Sequence, residues 1–96
     1  MKITDAQLKQ IYAHAKKTYP HECCGFLLGT FDHGLVHQVR LATNLNKERT
    51  DRFTFDPKES MQVQLDADEA GLDMIGIYHS HPDWPPIPSQ TDMENA

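Results

Sequence analysis

The sequence predicts a single domain of the α/β (α+β) class, and its 96 residues suit no more than one. Two segments carry apolar residues at helical spacing, each behind a helix-capping residue. Three further segments are apolar or alternate between apolar and polar residues, which is typical of strands. These segments follow in the order α, β, β, α, β, with the start of another helix after them. Such an order favours helices packed on a sheet.

Both helices are predicted from their capping residues. Thr4 opens a capping box, so the first helix should cover residues 5–18. The second helix should begin after Asp56, with Pro57 in its first turn, and Gly71 should end it.

The three strands are predicted from composition and turn signals. Residues 22–29 are short and apolar, as in a strand buried on both faces. A turn at residues 32–34 leads into an alternating strand over residues 35–41. Residues 44–52 are polar and charged, which indicates a flexible loop. The third strand should cover residues 72–81.

Charge and composition exclude several classes of function. Nine Lys and Arg against 14 Asp and Glu give a net charge of -5, and the lack of a basic cluster argues against nucleic-acid binding. No apolar stretch is long enough to span a membrane, and the N-terminus lacks the apolar core of a signal peptide. We therefore expect a cytoplasmic protein with no membrane partner.

The adjacent Cys23 and Cys24 are the only cysteines of the chain. Neighbouring cysteines rarely bridge each other, and a reducing compartment would keep both as thiols. The pair is best interpreted as two small buried hydrophobes. A thiol enzyme using either cysteine is an alternative, which the absence of a cationic neighbour disfavours.

The histidine pair at the end of the third strand carries the strongest chemical signal. His79 and His81 are two residues apart, so on a strand both side chains point to the same face. The carboxylate of Asp92 follows in a proline-rich segment. Two imidazoles and a carboxylate, with a fourth position left to water, form a typical catalytic zinc site. His14, His21 and His33 are interpreted as surface groups.

Two further side chains could complete a hydrolytic centre. Glu22 begins a buried strand and is a candidate base for the attacking water. Ser89 lies three residues before Asp92 and could donate to a developing oxyanion. Each also has a simpler interpretation: Glu22 as a solvated charge, and residues 89–92 as a capping box.

These residues together resemble a known family. His79-x-His81, ten intervening residues and Asp92, with Ser89 three before it, resemble the JAMM motif of the MPN-domain metalloproteases. Residues 20–29, which contain Glu22, are similar to the glutamate-bearing strand of its prokaryotic, JAB-like branch. Residues 52–57 are similar to the segment before the family's second helix, so the resemblance covers nearly the whole chain.

The resemblance implies a curved mixed β-sheet flanked by helices, with a cytidine-deaminase-like MPN core. It implies Zn²⁺ bound by His79, His81 and Asp92, with Glu22 and Ser89 as catalytic residues. The implied substrate is the amide bond after the C-terminal glycine of a ubiquitin-like or sulfur-carrier protein.

Family domains continue beyond the aspartate with a full helix and further strands. Residues 1–96 would then form one JAMM/MPN-like domain that is incomplete at its C-terminus. A non-catalytic MPN-like scaffold is the alternative that this shortness favours.

Overall fold

A computed structural model describes residues 1–81 of the chain. Its elements, in chain order, are α1 (Asp5–Thr18), β1 (Cys24–Thr30), β2 (Leu35–Ala42), α2 (Pro57–Ala70) and β3 (Asp73–His79). The predicted class and the predicted order of elements are confirmed within this part of the chain. Neither of its helices is long and apolar enough to cross a membrane.

Local hydrogen bonds at the helix ends explain why the sequence predicts both helices well. The side chain of Thr4 accepts a hydrogen bond from the backbone of Gln7, whose side chain accepts one from the backbone of Thr4. At α2, the side chain of Asp56 accepts from the Lys58 backbone. Gly71 ends α2 in the left-handed region, with φ of 71°.

The sheet has the order β2-β1-β3, so β1 is its central strand. Both pairings of β1 are antiparallel. The sequence led us to expect a sheet with both parallel and antiparallel strands. Among residues 1–81, the only parallel pairing is an isolated bridge between Lys2 and Leu35. Residues 24–29 of β1 are all buried, as predicted for a strand covered on both faces.

The two helices cover opposite faces of this sheet. Side chains alternate along a strand, so successive residues of β1 enter different cores. One core contains Ile11 of α1 and Leu27 of β1; the other contains Phe26 of β1 and Val63 of α2. Residues 1–81 therefore form three layers, with β1 in the middle one.

Tyr78 of β3 packs closely against Gly25 of β1, on the face of the sheet that α1 covers. Tyr78 is fully buried and lies opposite Gly25, where a Cβ atom would overlap the tyrosine ring. The hydroxyl of Tyr78 forms a 2.9 Å hydrogen bond with Nδ1 of His14. His14 is only 8% exposed, so the expectation of a surface group was wrong. Its position three residues after Ile11 places it on the buried stripe of the helix.

Candidate metal centre

The antiparallel register of β1 and β3 brings the proposed site residues to one end of the sheet. Cys24 pairs with His79, so Glu22, just before β1, lies near the end of β3. The Cys23 backbone donates a 2.9 Å hydrogen bond to Oγ of Ser80, and Ser80 N donates to the Cys23 carbonyl at 3.2 Å. β3 itself ends at His79, two residues earlier than the sequence predicts, and His81 follows in irregular backbone.

Glu22, His79 and His81 form a compact group of potential metal ligands. One donor atom from each lies within 4.8 Å of the other two. Glu22 is only 4% exposed, and its Oε1 lies 2.9 Å from Nδ1 of His79. When the Glu22 carboxylate is ionised it can only accept, and Nδ1 of His79 is then the donor in this hydrogen bond. Nε2 is then the nitrogen of His79 that could ligate a metal, an arrangement common among metal-binding histidines.

Aromatic contacts restrict the orientation of the two imidazoles. Phe53 stacks on His79 with ring centroids 4.6 Å apart and planes 26° apart. The His81 ring meets His79 edge-on, at 5.2 Å and 76°. Phe53 also contacts Phe55, which stacks on Phe26 of the central strand. The segment before α2 therefore connects the histidine cluster to the core.

Asn44 organises the loop beside the site. Its Nδ2 donates to the carbonyls of Glu22 and Arg52, at 3.0 and 3.1 Å. Its Oδ1 accepts from the backbones of Asn46 and Thr54, at 2.9 and 3.0 Å. These four bonds use the full capacity of an amide side chain. The loop predicted to be flexible is thus joined to the backbone of Glu22.

We expect Asn44→Asp to leave the chain folded but to displace Glu22, which would lower the kcat of the hydrolysis that the sequence predicts by about 10-fold or more. The substitution keeps the shape but places a carboxylate oxygen against the carbonyls of Glu22 and Arg52, since an ionised aspartate cannot donate. The Glu22 backbone should then move, and a small displacement of a residue predicted to act as the base is costly to the rate. The measurements are kcat and circular dichroism. The matched control is Gln38→Glu, which makes the same change from amide to carboxylate at an exposed position of β2. Equal kcat for Asn44→Asp and wild type would contradict this role.

The cysteines lie inside the protein, with Cys23 1% and Cys24 0% exposed. Burial raises the pKa of the Cys23 thiol. It also raises the pKa of Cys24 to about 12, with a smaller contribution from Cys23. Both groups are therefore poor thiolates, which favours buried hydrophobes over a thiol nucleophile.

Comparison with known proteins identifies the family of this chain. The family model described as prokaryotic homologs of the JAB domain matches residues 4–96. The chain belongs to this family. The predicted relationship to the prokaryotic JAB/MPN proteins is thereby confirmed.

Individual JAB-family relatives match over most of this chain. A desampylase of Haloferax volcanii is 38% identical over 77 residues, covering 80% of this chain and 55% of the relative. A CysO-cysteine peptidase of Mycobacterium tuberculosis is 34% identical over 85 residues, covering 88% and 57%. A solution structure of a protein from Desulfitobacterium hafniense superposes with a TM-score of 0.76 at 35% identity, covering 97% and 64%. The chain thus spans less than two thirds of these relatives' lengths.

The predicted site residues divide into two groups. The structure brings Glu22, His79 and His81 together, whereas Ser89 and Asp92 lie outside the described residues. Their roles stay predictions. Asn44 and Phe53 also contact the site, and the sequence alone does not indicate either as a site residue. An Asn at a strand end, with a second Asn two residues on, is a signal for a loop held by side-chain hydrogen bonds.

Proposed function

We propose that this protein is a zinc-dependent metallo-(iso)peptidase. It hydrolyses the amide bond after the C-terminal glycine of a ubiquitin-like or sulfur-carrier protein. The observation that carries the proposal is the buried Glu22 beside His79 and His81, in a chain of the JAB family. The names of the relatives, a desampylase and a CysO-cysteine peptidase, support a protein conjugate as substrate.

The donor chemistry of the site fits zinc. Imidazole nitrogen and carboxylate oxygen are ordinary zinc ligands, and a catalytic site uses three protein ligands. We assign these to His79, His81 and Asp92, which leaves Glu22 for proton transfer. When bound, zinc would act as a Lewis acid and lower the pKa of water.

The buried carboxylate of Glu22 performs the proton transfers. It takes a proton from the attacking water and delivers it to the leaving amine. Its hydrogen bond to His79 and the bond from Asn44 to its carbonyl hold it in place. Ser89 is proposed to donate to the oxyanion that forms at the carbonyl. The free thiols of Cys23 and Cys24 suit a reducing compartment such as the cytoplasm.

Zinc analysis combined with a cleavage assay tests this proposal. The substrate is a sulfur-carrier protein extended by one alanine beyond its terminal Gly-Gly. We expect about one zinc per chain, as a three-ligand catalytic site holds. Chelator should abolish cleavage, and added zinc should restore it. A chain that binds no zinc at near-neutral pH and cleaves nothing would instead be a scaffold of the MPN type.

A further inference from the structure

Glu22 and Phe53 restrict the imidazole of His79 in different ways. Nδ1 of His79 lies 2.9 Å from Oε1 of Glu22, and the ring of Phe53 stacks on the imidazole with centroids 4.6 Å apart. One hydrogen bond leaves a ring able to tilt about the line between donor and acceptor. A second ring stacked on its face opposes that tilt, because tilting breaks the contact between the two faces. The hydrogen bond and the stack therefore oppose different motions of the same imidazole.

Phe53 is itself held by the core. Its ring meets Phe55 edge-on, with centroids 5.3 Å apart, and Phe55 stacks on Phe26 of β1 at 4.5 Å. Phe26 is buried and belongs to the core that α2 covers. A row of ring contacts thus runs from the central strand of the sheet to the imidazole, by a route separate from the backbone of β3.

Asn44 holds the backbone on both sides of Phe53. Its Nδ2 donates to the carbonyl of Arg52, and its Oδ1 accepts from the backbone N–H of Thr54. These are the residues just before and just after Phe53. The same Nδ2 also donates to the carbonyl of Glu22. One amide side chain therefore joins the backbones of two residues that contact the imidazole.

We propose that Phe53 is a positioning residue, whose stacked ring orients His79 for metal binding. This assignment rests on the proposed function, in which His79 is a zinc ligand. An imidazole that is already held in its binding orientation loses less freedom on binding, so a neighbour can raise affinity without contacting the metal. The aromatic face adds a second effect. An imidazole that ligates a cation carries part of its charge, and the face of a phenyl ring attracts positive charge.

Four variants isolate the contribution of the ring. Phe53→Leu and Phe53→Met remove the flat face but keep an apolar side chain. Phe53→Tyr keeps the ring and should keep the wild-type properties. Val63→Ala, in the core against which Phe53 packs, is the control for lost packing. It should lower the unfolding midpoint and leave the histidines unchanged.

The first measurement uses the metal-free chain with ¹⁵N-labelled imidazoles at mildly alkaline pH. Nitrogen spectra report which ring nitrogen carries the proton. We expect His79 to be protonated at Nδ1 in the wild type and in Phe53→Tyr, as the hydrogen bond to an ionised Glu22 requires. Phe53→Leu and Phe53→Met should show a mixture of both tautomers, because the loosened ring no longer keeps that hydrogen bond.

The second measurement is the zinc dissociation constant, by competition with a chromogenic chelator. We expect about 10-fold weaker binding in Phe53→Leu and Phe53→Met, the lower end of what supporting partners of metal-ligating histidines contribute. Phe53→Tyr and Val63→Ala should bind zinc like the wild type. Zinc affinity that follows the unfolding midpoint across all four variants would overturn the positioning role, since it would then reflect packing alone.

The two measurements separate this inference from the proposed function. Wild-type tautomers and wild-type zinc affinity in Phe53→Leu and Phe53→Met would overturn the inference and leave the proposed function standing. A wild-type chain that binds no zinc and cleaves nothing would overturn the proposed function. Mixed tautomers in the Leu and Met variants of that same chain would still support Phe53 as the residue that orients His79.

Discussion

Glu22→Gln should retain zinc but reduce cleavage by about 10² to 10⁴-fold, the usual contribution of general acid–base catalysis. Glutamine has nearly the same shape, and its carbonyl oxygen can still accept the hydrogen bond from Nδ1 of His79. It cannot take a proton from water. The variant therefore removes the proposed chemistry and preserves the surrounding structure.

Three measurements on Glu22→Gln decide between the roles of this carboxylate. They are kcat on the alanine-extended carrier, zinc per chain, and the thermal unfolding midpoint. Glu69→Gln, an exposed change near the end of α2, is the matched control. Wild-type cleavage by Glu22→Gln would contradict the proton-transfer role. Loss of zinc would make Glu22 a metal ligand, which its position within 4.8 Å of the histidine donors also permits.

The helices and the order of elements could be predicted because their signals are local. Thr4 and Asp56 cap helices through bonds to residues two or three positions away. The histidine pair could be recognised because two imidazoles two residues apart on a strand share a face. In the helix caps and in the histidine pair alike, the few neighbouring residues that indicate the structure are the same residues that form it.

The features that the sequence did not predict depend on contacts between distant segments. The bond from Asn44 to Glu22 spans 22 residues and requires the end of β2 to lie beside the start of β1. The bond between His14 and Tyr78 spans 64 residues. No periodicity along the chain encodes such pairs, because they exist only once the antiparallel register is formed. The register also explains why β3 ends at His79, as its pairing with β1 begins at Cys24.

We expect His79→Ala to lose both zinc and cleavage. His79 is a proposed ligand whose imidazole is also held in place by two neighbours. It forms a hydrogen bond with Glu22 and stacks on the ring of Phe53. Loss of supporting groups around metal ligands commonly costs 10 to 100-fold in affinity, so loss of a ligand itself should cost at least about 100-fold. The measurements are the zinc dissociation constant, by competition with a chromogenic chelator, and kcat on the alanine-extended carrier.

His37→Ala is the matched control for His79→Ala, because His37 is an exposed histidine of β2. It should bind zinc and cleave like the wild type, which separates the site from adventitious binding by surface imidazoles. Asp92→Ala identifies the third ligand: it should lose zinc as His79→Ala does, whereas Glu22→Gln should not. Zinc retained by His79→Ala at wild-type affinity would contradict the proposed centre, since one imidazole and one carboxylate cannot replace three protein ligands.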